Sequence, residues 1–311
     1  MKILVVSGFL GAGKTTFIKK LITETNVKPV ILENEYGDDN LDSQVLNRAS
    51  DLQIYEFMEG CVCCSKKDSF KNTLLTISAS LDPEYLIVEP SGVGKLSNIL
   101  SNIEQISYEK IECLNPILVI SPRQIDEYLS KYSEVYLDQI KNAGIIVLSK
   151  IENYSKEMIE KAKNKITRYN KNAVIIDTPY QNMDDSFFNE LFKSKSDIEI
   201  REENDDNLKL DQYTTSYPNI RNIPQLIMLL EDVVHKRYGD IVRAKGELLI
   251  NNERIRFDLA DNLYGIVSVE DDIDNQQCVF IGQNIDKKKL DLNLNIKNKK
   301  IDYVNMRSGI A

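Results

Sequence analysis

The sequence predicts an α/β fold, a mostly parallel phosphate-loop NTPase sheet flanked by helices, with a small C-terminal α+β domain after it. Three observations predict it. Gly8-Phe9-Leu10-Gly11-Ala12-Gly13-Lys14-Thr15-Thr16 fits the pattern G-x-x-x-x-G-K-[ST], with Gly8, Gly13, Lys14 and Thr15 at its fixed points. Apolar, β-branched runs of strand length alternate with helical stretches over residues 2–177, as in a parallel sheet covered on both faces. Beyond residue 215 one helical stretch is followed by closely spaced strand runs.

A length of 311 residues accommodates two domains, each with enough chain to bury a core. The expected division is a nucleotide-binding domain over 1–192, a charged linker over 193–214 and the α+β domain over 215–311. The net charge of -9 opposes a polyanion, so nucleic acid and anionic membrane are not expected partners, and any phosphate must be bound locally. No apolar run approaches the ~20 residues of a membrane span. Residues 1–13 faintly imitate a secretion signal, but the glycines and Lys14 are better explained as a phosphate loop. Five cysteines, with Cys61, Cys63 and Cys64 crowded together, do not form a spaced disulfide framework; a reduced, cytoplasmic protein is expected.

Residues 2–6 form the first predicted strand and 15–23 the first helix. Between them, backbone N–H groups and the helix dipole would cradle phosphates, with Gly8, Gly11, Ala12, Gly13 and Thr16 shaping the loop. Lys14 would reach the β and γ phosphates and Thr15 would place its hydroxyl on Mg²⁺. Residues 28–33 make a second strand that delivers Asn34-Glu35-Tyr36-Gly37-Asp38-Asp39 to the ligand edge. Glu35 there is either a cation contact or part of a solvated turn.

A strand over 52–57 ends in Gly60-Cys61-Val62-Cys63-Cys64. Thiolates are soft ligands suited to Zn²⁺ and related ions. In extended chain Cys61 and Cys63 point the same way, and Cys64 joins them only if the backbone turns. Two or three sulfurs leave coordination positions open, as a site that takes up and releases an ion requires. Buried small hydrophobes are the plainer explanation for free cysteines, and it is preferred for Cys113 and Cys278. An amphipathic helix over 67–81 follows, with Phe70, Leu74, Ile77 and Leu81 on one face.

The strand over 85–88 ends in Glu89-Pro90-Ser91-Gly92. Glu89 could hold Mg²⁺ through water or orient an attacking water, and Gly92 could donate its N–H to a γ-phosphate; the alternative is an ordinary turn. Strands at 116–120 and 144–148 flank one helix over 124–141. After the second comes Ser149-Lys150-Ile151-Glu152, where guanine-specific proteins of this class carry Asn-Lys-x-Asp. Glu152 keeps the acceptor for a guanine edge, but Ser149 replaces the Asn that ties this loop to the phosphate loop, so that tie is expected to be lost and the base preference is open. A helix over 155–169 and a strand over 173–177 complete the unit.

Residues 193–212 are charge-rich and apolar-poor. A helix over 224–237 and strands at 241–250, 254–259, 263–269 and 277–281 follow, with Asn251-Asn252 as a hairpin turn. His235, the single histidine, has no neighbouring ligand set and is read as a surface or packing residue.

With these motifs in this order, the chain resembles the CobW-type branch of the CobW/HypB/UreG family of metal-chaperone GTPases. The carrying segments are residues 8–16, Glu33-Asn34-Glu35-Tyr36-Gly37, the Cys-x-Cys-Cys stretch and Glu89-Pro90-Ser91-Gly92; Arg243-Ala244-Lys245-Gly246 adds weaker support. The resemblance implies GTP hydrolysis, with Mg²⁺, coupled to delivery of a transition ion such as Zn²⁺ or Co²⁺ to a client metalloprotein. A homodimer is compatible with it. Two rival functions are a phosphate-loop small-molecule kinase with incidental cysteines, and a non-catalytic, nucleotide-stabilised partner of a metal or corrinoid enzyme.

Overall fold

The structure, a computed structural model, describes residues 1–33, 54–56, 66–107, 110–152, 154–196, 200, 210–260, 262–269 and 276–295. It divides into two compact units, Met1–Leu210 and Asp211–Ala311.

In the first unit, β1 (Lys2–Ser7) leads through the phosphate loop into α1 (Lys14–Glu24). Then come β2 (Val30–Glu33), β3 (Ile54–Glu56), α2 (Lys66–Leu81), β4 (Tyr85–Glu89), α3 (Leu96–Glu104), β5 (Glu112–Cys113) and β6 (Ile117–Ile120). Next are α4 (Ile125–Lys131), α5 (Ser133–Lys141), β7 (Ile145–Leu148), α6 (Lys156–Tyr169), β8 (Val174–Ile176) and α7 (Asp185–Leu191). Among the described residues the sheet order is β3-β2-β4-β1-β6-β7-β8, all parallel, with β5 also paired to β1. β5 and β6 extend β1's ladder as two pieces: Ile3 faces Cys113, and Ser7 faces Leu118.

The central strands are apolar on both faces because Ile3–Val6 of β1 and the whole of β6 and β7 are runs of Val, Ile and Leu. Leu4 and Val6 pack with Phe17, Ile18 and Leu21 of α1 and with Phe188 and Leu191 of α7. Their neighbours Ile3 and Val5 point to the opposite face and are equally inaccessible to solvent. There α2 lies against α3, α3 against α5, and α5 against α6. Each parallel strand therefore ends at the same edge, where the loops carrying Gly8, Glu89 and Ser149 emerge.

The helix expected over 124–141 is two helices. Tyr132, at φ -126° and ψ 33°, interrupts it between α4 and α5. Its ring stacks on Phe9 with centroids 5.0 Å apart, an aromatic contact that a continuous helix would have to accommodate at this position.

The second unit is β9 (Asp211–Ser216), α8 (Ile223–Val234), β10 (Asp240–Ile250), β11 (Glu253–Ala260), β12 (Leu263–Ser268), β13 (Gln277–Gln283) and α9 (Lys287–Leu294). Its sheet is antiparallel in the order β12-β11-β10-β13-β9. Leu226, Leu230 and Val233 of α8 pack on Ala244, Leu248, Phe257 and Phe280 of the sheet. Asn222 caps α8 by accepting from the Gln225 N–H, and Pro224 sits in its first turn. Asn251 and Asn252 turn the β10–β11 hairpin at φ 52° and 64°, left-handed values that asparagine tolerates. β9 takes in residues 211–214 of the stretch expected to be a linker, and α9 buries Leu290 and Leu294. His235 is exposed and its Nδ1 lies 2.8 Å from the Glu231 carbonyl oxygen. No helix among the described residues is long and apolar enough to cross a membrane.

Candidate nucleotide site

The phosphate loop is held from beneath before any ligand is considered. Gly13 adopts φ 97°, a left-handed conformation that lets the chain turn into α1, and the Phe17 N–H reaches its carbonyl at 2.9 Å. A Cβ on Gly8 would lie 2.5 Å from the Val119 carbonyl oxygen, so only glycine lets β1 leave the sheet this close to β6. Phe9 is fully buried, with Tyr128, Tyr132 and Tyr136 rings at 4.5, 5.0 and 6.0 Å. Such ring contacts add about 0.5–1.5 kcal/mol per pair beyond area burial.

At the first turn of α1, three predicted residues converge. The Thr15 hydroxyl donates to Glu89 Oε1 at 3.0 Å, with Oε2 at 3.3 Å, and Lys14 Nζ lies 3.9 Å from Oε1. Lys14 and Glu89 are both buried. β4 carries Glu89 to this point because it pairs in parallel beside β1, with Val5 opposite Val88. Oxygen donors from a hydroxyl and a carboxylate at this spacing suit a hard cation such as Mg²⁺ rather than a soft one.

Gly92 packs directly on the phosphate loop. A Cβ there would fall 2.6 Å from the Leu10 nitrogen and 3.0 Å from the Phe9 carbonyl carbon. The turn it belongs to is closed by Gly94 N–H donating to the Ser91 carbonyl at 3.0 Å.

The tie expected to be lost at Ser149 is present in another form. Its hydroxyl donates to the Ala12 carbonyl at 2.6 Å, and Lys150 Nζ donates to the Gly11 carbonyl at 2.8 Å. The shorter Ser side chain suffices because β7 brings it directly under the loop, where it is fully buried. Lys150 takes φ 58°, a left-handed value for a residue with a side chain. Glu152 is exposed. Burial first and the Glu152 charge second hold the Tyr180 hydroxyl above its ordinary pKa, and the Tyr180 ring packs edge-on against Phe17. Thr16 is exposed at the start of α1.

Two residues beside the site, Gln139 and Asp138, escaped the sequence reading, and a third, Glu33, stood in the predicted second strand and the family segment without a role of its own. Glu33 is buried at the end of β2 and pairs in register with Glu89. A carboxylate ending an apolar strand was its legible signal, the same one that marked Glu89. Gln139 and Asp138 sit on α5; a polar pair inside the stripe of Val135, Tyr136 and Ile140 was theirs. Cys61, Cys63, Cys64 and Glu35 lie outside the described residues. Among the described residues no group of three or more His, Cys, Asp or Glu side chains could hold a metal ion.

Comparison with known proteins places this site in a family. Residues 2–177 match the family described as CobW/HypB/UreG, nucleotide-binding domain. The zinc-regulated GTPase metalloprotein activator 1 of Schizosaccharomyces pombe is 27% identical over 59% of this chain and 47% of its own length. The Escherichia coli zinc chaperone YeiR is 32% identical over 49% of this chain and 47% of its own. The chain thus spans about half the length of these two relatives. The E. coli zinc chaperone YjiA is 23% identical over 84% of this chain and 86% of its own.

Proposed function

The chain belongs to the CobW/HypB/UreG family, and from that membership we propose that it is a GTP-hydrolysing metallochaperone that carries a transition ion, zinc foremost, to a client metalloprotein. The observation that carries the nucleotide half is the convergence of Lys14, Thr15 and Glu89 at the mouth of a braced phosphate loop. The relatives named above as zinc-regulated GTPase and as zinc chaperones support both halves.

In this reading the loop amides of residues 8–13 bind the phosphates, and Lys14 leaves Glu89 to reach the β and γ oxygens. Thr15 and Glu89 would hold Mg²⁺, which when bound neutralises charge developing on the phosphates. Glu89 orients a water for attack on the γ-phosphorus. The bond from phosphorus to the bridging β–γ oxygen breaks, leaving GDP and inorganic phosphate. The Gly92 N–H donates to the γ-phosphate, and Ser149 and Lys150 hold the base-side loop against the phosphate loop. Glu152 supplies the acceptor that favours a guanine edge.

The cargo ion is assigned to Cys61, Cys63 and Cys64, with Glu35 as an added oxygen ligand. β3, β2 and β4 are adjacent parallel strands with Glu56, Glu33 and Glu89 in register at one sheet edge. In this reading a change of nucleotide at Glu89 alters the affinity of the ion.

The test is titration of Zn²⁺, and separately Co²⁺, into the reduced protein with GDP, with a non-hydrolysable GTP analogue, and with the ATP counterpart. The expected result is one thiolate-bound ion per chain, with an affinity that differs about tenfold between the GDP and GTP-analogue states, equivalent to ~1.4 kcal/mol, and a weaker response to the ATP counterpart. Equal affinity in the GDP and analogue states sinks the coupling. Phosphate transfer to a small molecule, unchanged when all three cysteines become Ser, would replace the reading with a kinase.

A further inference from the structure

The geometry points to Gln139 as a positioning residue for hydrolysis, holding the Ser91–Gly94 turn so that the Gly92 N–H faces the γ-phosphate. This rests on the reading of the nucleotide site above. Gln139 is fully buried on α5. Its Nε2 donates to the Gly92 carbonyl at 3.2 Å and to the Gly94 carbonyl at 2.9 Å, so one amide holds the second and last residues of the turn together.

The direction of the Gly92 N–H is then determined. Ser91 C=O and Gly92 N–H share one rigid peptide plane. Gly94 N–H donates to that Ser91 carbonyl at 3.0 Å, which orients the plane, and Gln139 prevents the turn from opening. On its other side Gly92 abuts Phe9 and Leu10 so closely that a Cβ has no room.

α5 reaches the phosphate loop from the same face. Tyr136, one helical turn before Gln139, and Tyr132 at the head of the helix pack on Phe9. Asp138, the residue before Gln139, accepts from the Ser97 N–H at 3.1 Å and the Ser97 hydroxyl at 2.6 Å, securing the start of α3 just beyond the turn. One helix therefore sets the spacing between the phosphate loop and the Gly92 turn, the two backbone segments that would flank a γ-phosphate.

A second feature sets Gln139 apart from ordinary packing. Its Oε1 is buried with no hydrogen-bond partner among the described residues. An apolar residue could fill the same space without leaving an acceptor unmatched; what the amide adds is its two donors.

Gln139→Met removes both donors at nearly constant volume. Affinity for GDP should stay within about threefold, because the phosphate loop, Lys14 and Thr15 are untouched. The rate constant kcat should fall about tenfold or more, and the preference for a non-hydrolysable GTP analogue over GDP should shrink by a similar factor, the split expected when a contact to the γ-phosphate is misplaced. A kcat within twofold of the unchanged protein overturns the role, as does a parallel loss of GDP affinity, analogue affinity and kcat. If the variant does not fold, hydrogen exchange of the unchanged chain decides. Amides of 91–95 and of 133–141 should slow together on replacing GDP by the GTP analogue; no change in 133–141 overturns the role. The unchanged protein separates the two levels. If it turns over no nucleoside triphosphate, the reading of the site fails and this inference with it; if it does and the variant equals it, only the role of Gln139 fails.

Discussion

Ser149 shows how a single side chain can be read correctly for type and wrongly for consequence. As Asn-to-Ser the position looks like a lost contact, yet the hydroxyl reaches the Ala12 carbonyl at 2.6 Å from a fully buried position. A neutral hydrogen bond contributes about 0.5–1.5 kcal/mol, and leaving a buried partner unsatisfied costs about 1–3 kcal/mol. Ser149→Ala should therefore weaken nucleotide binding about 5- to 30-fold, the equivalent of ~1–2 kcal/mol, as measured by calorimetric titration with GDP. An unchanged affinity would mean that Lys150, bonded to Gly11, holds the loop unaided. Of the two described cysteines Cys278 is buried as expected and Cys113 only partly so; desolvation pushes the Cys113 thiol up to about 12 and raises that of Cys278 as well, which disfavours the thiolate that metal binding requires.

At the scale of elements, α5 is the helix on which the site depends. The interruption at Tyr132 separates it from α4, and its polar residues Asp138 and Gln139 face inward onto the ends of β4's loop and α3. Burial pushes the Asp138 carboxyl above its ordinary 3.8, against the opposing pull of the Ser97 hydroxyl, the Ser97 and Leu96 amides and the Lys95 charge. The folded chain thus holds this proton more tightly than the unfolded chain. The group's contribution to stability is fully present below about 3.8 and declines as pH rises through its higher folded-state pKa. Asp138→Asn removes that titration. In denaturant unfolding from pH 4 to 7, the stability of the unchanged protein relative to the variant should be greatest at the acid end and fall toward neutrality. A difference that is constant across the range would show that the carboxyl does not change its proton affinity on folding.

The molecule as a whole has two units, each with its own apolar core: one around Leu4, Phe17, Val119 and Phe188, the other around Leu226, Leu230, Phe257 and Phe280. Nucleotide is assigned to the first unit alone. Scanning calorimetry should resolve two transitions, and GDP at about 100 times its dissociation constant should stabilise one of them by ~2.7 kcal/mol while leaving the other in place. A single transition would show that the units unfold as one cooperative body, and two that shift equally would show that nucleotide binding is not confined to the first unit.

Much of this was legible in the primary structure, for physical reasons that differ by element. Apolar β-branched runs such as Ile117–Ile120 and Ile145–Leu148 announce buried parallel strands, and a glycine-rich loop followed by Lys-Thr announces phosphate, because both are local patterns with local causes. Short or weakly apolar elements did not announce themselves: β9 lies in a charged stretch and α9 buries only two leucines, and each is held by partners remote in sequence. The phosphate loop, the carboxylate of Glu89 and the fold class were determined by sequence alone. That Thr15 and Lys14 meet Glu89, that Ser149 ties the loop, and that Gln139 grips the Gly92 turn were decided only by tertiary structure. The separations run from 45 to 137 residues, and only the register of the parallel sheet and the packing of α5 bring such positions within hydrogen-bond reach.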